Sequence, residues 1–306
     1  MTLDEIRAGG KRDLARALVQ VETRQGAPET AALLDEAWAA PKGTVLGLTG
    51  PPGVGKSTLT DALIRAWRAS GQTIAVIAVD PSSARTGGAL LGDRTRLTND
   101  PTDQGVFVRS MAARDRLGGV AEITFAAAVL LRALYDLVIV ETVGVGQSET
   151  EIAGIADLTA FLAQPGSGDS LQYMKAGIME VPDLVVVTKA DLGAIARRTV
   201  SDLRGALSLT PGRDVQVVSC AAASGEGVKE VLHEICTLIT ETQPRFAETR
   251  ETQVHEWAKQ RIQRRFGTEG ARLLIESPVN PVDKMPFSAI QSAHERLSKA
   301  LSAAFE

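Results

Sequence analysis

Val45 to Leu59 reads VLGLTGPPGVGKSTL: an apolar run of strand length, a turn of glycine and proline, then Lys56, Ser57 and Thr58 opening a helical stretch. Between Gly50 and Ser57 the turn satisfies G-x-x-x-x-G-K-[ST], and a strand before it and a helix after it are the context that pattern requires. Glycines at 50, 53 and 55 let successive backbone N–H groups converge on phosphate oxygens. The predicted phosphate cradle therefore runs through Gly50, Gly53, Val54, Gly55, Lys56, Ser57 and Thr58. Lys56 brings a point charge to the β- and γ-phosphates, and Ser57 offers a hydroxyl to Mg2+. The following helix adds its positive N-terminal end.

Outward from this motif, short apolar runs alternate with helical stretches. Val45–Gly50, Thr73–Asp80, Tyr135–Thr142, Leu158–Ala163, Asp183–Lys189 and Asp214–Cys220 read as strands, several of them apolar at consecutive positions. Such runs suit strands buried on both faces of a parallel sheet, with helices as crossovers. The expected fold class is α/β: a doubly wound, mostly parallel P-loop domain with N- and C-terminal helical extensions. Pro41, Lys42 and Gly43 end a helical N-terminal stretch, and Pro244 marks a second change of texture. The predicted organisation is a helical extension over 1–42, a nucleotide domain over 43–244 and a helical arm over 245–306. The arm's two amphipathic helices pack either on the core or on a second subunit, and periodicity does not choose between these.

Of the 306 residues, 44% are hydrophobic and 23% charged, with a net charge of -4, which gives no electrostatic reason to expect nucleic acid. The apolar runs are too short to cross a membrane, and MTLDEIRAGGKRD lacks the apolar core of a signal peptide. A cytoplasmic protein without a membrane partner is the expectation. Two cysteines, Cys220 and Cys236, supply neither a disulfide framework nor a cysteine-rich metal site.

Acids stand at the ends of predicted strands. Asp80 closes the run before DPSS and Glu141 closes LVIVE, where each can hold Mg2+ or its waters. Asp93, in LGDRTR, either closes over the γ-phosphate or is a solvated loop acid. Three glycine-rich polar segments, 85–93, 142–149 and 164–175, are candidate switches, and the Gly144 amide is placed to sense the γ-phosphate. Thr188-Lys-Ala-Asp191 follows another apolar run. Asp191 there can accept from guanine N1 and N2 while the Lys189 stem covers the ring; adenine lacks both donors.

Together the strings LARALVQVE, GLTGPPGVGKSTL, DPSSARTGGALLGDRTR, ETVGVGQSE, QPGSGDSLQYMKAGIME, TKADL and SCAAASGEGV resemble the MeaB/ArgK/MMAA G-proteins that serve adenosylcobalamin-dependent acyl-CoA mutases. The resemblance implies a GTPase cycling between GTP and GDP, with Mg2+ near Ser57, Asp80, Asp93 and Glu141. It implies a further switch over 164–175, in which Asp169 and Lys175 communicate with the mutase. It also implies a homodimer through the C-terminal helices, and a job of gating cofactor delivery and removing damaged cobalamin, the cobalamin being held by the partner. Methylmalonyl-CoA mutase is the default client, with a relative such as 2-hydroxyisobutyryl-CoA mutase as the alternative. Gln147 either orients the attacking water or bonds within its own loop. Lys175 is the candidate charge to complete the catalytic set with Lys56 and Glu141 when the partner binds.

Two positions depart from the family pattern. Thr188 stands where the family has Asn, and Ala221-Ala222 where it has Ser-Ala; backbone amides at Ala221 and Ala222 remain candidates to read guanine O6. Two rivals share the P-loop. Nickel-inserting metallochaperones need Cys and His near the switches, whereas His233, His255 and His294 all lie beyond the nucleotide motifs. An ATP-dependent kinase of an amino-acid transport system would not need Asp191.

Overall fold

A computed structural model describes residues 1–81, 102–113, 122–142, 151–166, 181–209, 214–275 and 285–304. The chain divides into two compact units. One takes in 44–121 and 135–244; the other takes in 1–43, 122–134 and 245–306.

In the first unit, strands β1 (Thr44–Thr49), β2 (Ile74–Pro81), β3 (Val106–Ala113), β4 (Leu137–Glu141), β5 (Leu158–Ala163), β6 (Leu184–Val187) and β7 (Gln216–Ser219) form one sheet. Its order is β3-β2-β4-β1-β5-β6-β7 and every pairing is parallel. β1, β4, β5 and β6 are buried at every position, which is why they read as unbroken apolar runs. β1 lies centrally, Leu46 in register with Ile139 on one side and Leu158 on the other. All strands point the same way, so the carboxyl ends of β1, β4 and β5 lie side by side, where such sheets bind ligands.

β3 has no counterpart among the six patterned runs. It is an edge strand, half-buried around Val108 to Ser110, and Arg109 and Ser110 interrupt its apolar pattern. Helices α3 (Lys56–Arg68), α5 (Ala194–Leu207) and α6 (Val228–Thr242) follow β1, β6 and β7 in the chain. Leu203 and Leu207 of α5 pack with Phe161, Val185, Val187 and Val217 in one apolar cluster.

The second unit is helical: α1 (Leu3–Thr23), α2 (Pro28–Ala39), α4 (Glu122–Arg132), α7 (Phe246–Ile275) and α8 (Pro286–Ala304). α1 opens on a capping box, the Thr2 hydroxyl accepting from Glu5 N while Glu5 accepts from Thr2 N. Phe125 of α4, Trp257 of α7 and Phe287 of α8 form an aromatic cluster, Trp257 lying 5.2 Å from Phe125 and 5.1 Å from Phe287 by ring centroids. Buried Asp35 of α2 accepts from the amides of Phe287 (2.8 Å) and Ser288 (3.0 Å), satisfying donors at the start of α8. Among the described residues no helix is long and apolar enough to cross a membrane.

Candidate nucleotide-binding site

Leaving β1, the chain enters the P-loop at Gly50, whose φ of 146° lies outside ordinary L-residue space. A Cβ there would stand 2.5 Å from the Leu162 carbonyl oxygen of neighbouring β5, so the position excludes any side chain. Gly53 and Gly55 also have positive φ, at 73° and 105°, and Gly55 is the residue from which α3 starts. Val54 is wholly buried and anchors the crown of the loop. Lys56 is 7% exposed, and its ammonium donates to the carbonyls of Gly50 (2.7 Å) and Pro51 (3.1 Å). The loop thus holds a cation inside its own curve, at the point where phosphate charge would be met.

Glu141, at the carboxyl end of β4, is 6% exposed. Its carboxylate accepts from Ser57 Oγ at 2.7 Å and from Thr60 Oγ1 at 3.0 Å, joining β4 to the first turn of α3. This is an all-oxygen set of carboxylate and hydroxyl beside a phosphate loop, the donor chemistry that suits a hard cation such as Mg2+. Thr60 carries a single sequence signal that was available: it lies one turn beyond Lys56 on the same helix. Ala78 of β2 pairs with Glu141, which sets the backbone of Asp80 two residues farther along toward the same end of the sheet. Asp93, Gly144, Gln147, Asp169 and Lys175 lie outside the described residues.

The third component follows β6. The Thr188 side chain, 3% exposed, donates to the Val54 carbonyl at 2.7 Å and lies 3.2 Å from the Ala163 carbonyl. Lys189, at φ 53°, takes a left-handed backbone conformation and reaches back to the Gly53 carbonyl (3.1 Å) and Gln164 Oε1 (2.8 Å). Gln164, just beyond β5 and the first residue of the candidate switch 164–175, is therefore a member of the site, through a bond to Lys189 that motif reading does not assign. The turn carrying exposed Asp191 is pinned by Ala190 N to the Cys220 carbonyl at 3.0 Å. Ala221 and Ala222 are buried beside it; the Ala221 amide donates to the Glu226 carbonyl at 2.9 Å, and the Ala222 amide bonds to Cys220. Burial pushes the Cys220 thiol up to about 11, so it stays protonated and serves as packing.

Phosphate loop, acid-hydroxyl cluster and base-side turn are thus brought together at the carboxyl end of the sheet. A family model described as methylmalonyl Co-A mutase-associated GTPase MeaB matches residues 14–270. The chain belongs to the MeaB family. This MeaB-family GTPase is 39% identical over 267 residues to a Pyrococcus horikoshii protein bearing a GTPase name, covering 84% of this chain and 83% of that one. It is 36% identical over 274 residues to GTPase ArgK of Escherichia coli, with 86% and 83% covered. It is also 39% identical over 242 residues to the mitochondrial methylmalonic aciduria type A homolog of Mus musculus, spanning 76% of this chain and 56% of the mouse protein. Among solved structures, an LAO/AO transport system kinase matches with a TM-score of 0.67 and 26% identity, over 97% of this chain and 96% of that one.

Proposed function

We propose that this MeaB-family protein hydrolyses GTP as a switch that acts on an adenosylcobalamin-dependent acyl-CoA mutase, gating cofactor delivery and protecting the mutase. The observation that carries the GTPase part is the Glu141 carboxylate held on Ser57 and Thr60 directly beside the Lys56-bearing loop. Mg2+, when bound, neutralises the charge of the β- and γ-phosphates. Ser57 and Glu141 hold it, with Asp80 and Asp93 as the further acids. Lys56 exchanges the Gly50 and Pro51 carbonyls for phosphate oxygens, so its desolvated charge is paired in both states. Amides from Gly53 to Thr58 line the phosphates, and Gly144 senses the γ-phosphate.

Asp191 reads guanine through N1 and N2, and the Lys189 stem, stretched between the base-side turn and the phosphate loop, supplies the floor beneath the ring. Thr188 holds that turn to Val54 and does not extend to the base. Gln147 orients the water, and Asp169 and Lys175 answer to the mutase. In sequence, the helical extensions 1–42 and 245–306 precede and follow the 43–244 nucleotide domain, and the C-terminal arm joins two copies.

The likeness to a transport-system kinase keeps one rival alive, an ATP-dependent kinase or ATPase. Purified protein assayed with GTP and ATP, with and without a panel of cobalamin-dependent acyl-CoA mutases, separates the two. GTP-selective turnover stimulated by one mutase is expected, and Asp191→Asn should shift preference toward xanthosine triphosphate. ATP turnover that ignores every mutase would replace this reading with the kinase.

A further inference from the structure

The parallel pairing of β5 with β6 delivers two chain segments side by side at the carboxyl end of the sheet. Ala163 is in register with Val187, and the Thr188 amide donates to the Ala163 carbonyl at 2.9 Å. Gln164 and Lys189 therefore leave the sheet together, although 25 positions separate them in the chain. The turn that carries Gln164 is itself held. Pro165 is buried, and a Cβ on Gly166, whose φ is 74°, would stand 3.4 Å from Ile195 Cγ2 at the start of α5. Residues 164–166 thus lie against the base-side turn and the helix that follows it.

A lysine does not hold still unaided. Its ammonium sits on a flexible four-carbon stem, and fixing that stem costs rotamer entropy. Exposed Lys189 is nevertheless fixed at both ends. Its backbone takes the left-handed conformation at φ 53°, and its ammonium donates to the Gly53 carbonyl at 3.1 Å and to Gln164 Oε1 at 2.8 Å. The Gln164 bond is the shorter of the two. It also comes from a side chain, so it can be removed without altering the phosphate loop.

We infer, on the guanine-nucleotide reading proposed above, that Gln164 is a positioning residue for nucleotide binding: it holds the Lys189 side chain between the phosphate loop and the base-side turn, so that the stem is in place as a floor before the ring arrives. A side chain ordered in advance leaves less entropy to be lost on binding. The ring is common to GDP and GTP. Removing the support of Lys189 therefore weakens both nucleotides by the same factor and leaves the chemical step alone. A part in the γ-phosphate response would act differently, on GTP alone or on turnover.

Titration of the full-length protein with fluorescent GDP, with unlabelled GDP and GTP in competition, tests this. Gln164→Met keeps the length of the side chain and removes the acceptor. It is expected to weaken GDP and GTP alike by about fivefold, and to raise KM for GTP with kcat unchanged. Gln164→Glu restores an acceptor at the same reach and should bind GDP within about twofold of the unaltered protein. In a Lys189→Met background, adding Gln164→Met should cost less than about twofold, because the lysine through which Gln164 acts is gone. Unchanged GDP affinity in Gln164→Met, an equal loss in the Lys189→Met background, or a fall in kcat at constant KM would overturn the proposal. GDP titration needs no hydrolysis, so absent GTP turnover would count against the GTPase reading and not against this role. An unaltered protein that binds neither nucleotide would remove the guanine site and this role with it.

Discussion

A threonine hydroxyl carries one proton, and Thr188 directs it to the Val54 carbonyl in the phosphate loop. Replacing it with Val keeps the volume and leaves that carbonyl without its donor, at a cost of about 1 to 3 kcal/mol. Thr188→Val is therefore expected to lower both the urea midpoint and GTP affinity, since the bond joins the base-side turn to the loop. Loss of stability with unchanged GTP affinity would show that the two parts are not coupled through this residue. The cysteines make a second contrast. Cys220 is buried with its thiol pushed up to about 11, whereas Cys236 is also raised by burial but is exposed at its surface. Iodoacetamide at pH 8 should alkylate Cys236 first in mass-spectrometric mapping, with Cys220 protected until unfolding.

Among the elements, α8 begins where α2 holds it. Asp35 caps its first amides from inside the fold, and burial, outweighing the hydrogen bonds from Ser288 and Phe287, raises the carboxyl above its ordinary range. A carboxyl that binds its proton more tightly when folded stabilises the fold most below its unfolded pKa. That contribution is lost as pH rises through the folded pKa. Measured against Asp35→Asn in urea melts between pH 4 and 7, the unaltered protein should therefore lose relative stability as pH increases. A rise over that window would mean that the cap hydrogen bonds dominate. β3 carries a related lesson about elements: an edge strand needs burial on fewer sides, so its pattern is diluted and only pairing with β2 identifies it.

For the whole molecule, nucleotide binding is a stability term. Ligand at a hundredfold over its Kd adds about 2.7 kcal/mol, which for a unit of this size raises Tm by roughly 5 to 10 °C. GTP with Mg2+ should give such a shift in calorimetry, and Lys56→Ala should abolish it while leaving the unliganded transition in place. A persisting shift in that variant would remove Lys56 from the phosphate site. The helical unit is also a property of the whole chain. It draws α4 from the middle of the sequence to pack with helices from both ends, and its aromatic cluster joins α4 to the two C-terminal helices.

What the sequence by itself determined was local: the P-loop, the acids at strand ends, the parallel α/β class and the family strings. Each rests on backbone conformations and residue types within a few positions of one another, or on burial that forces a run to be apolar. What only the tertiary structure decided was long-range. Glu141 meets Ser57 and Thr60 across more than eighty positions, Lys189 bridges Gly53 and Gln164, and Thr188 turns to Val54. α4 leaves its neighbours in sequence for the terminal helices. Periodicity says which face of an element is buried; the partner it is buried against is a property of the packed fold.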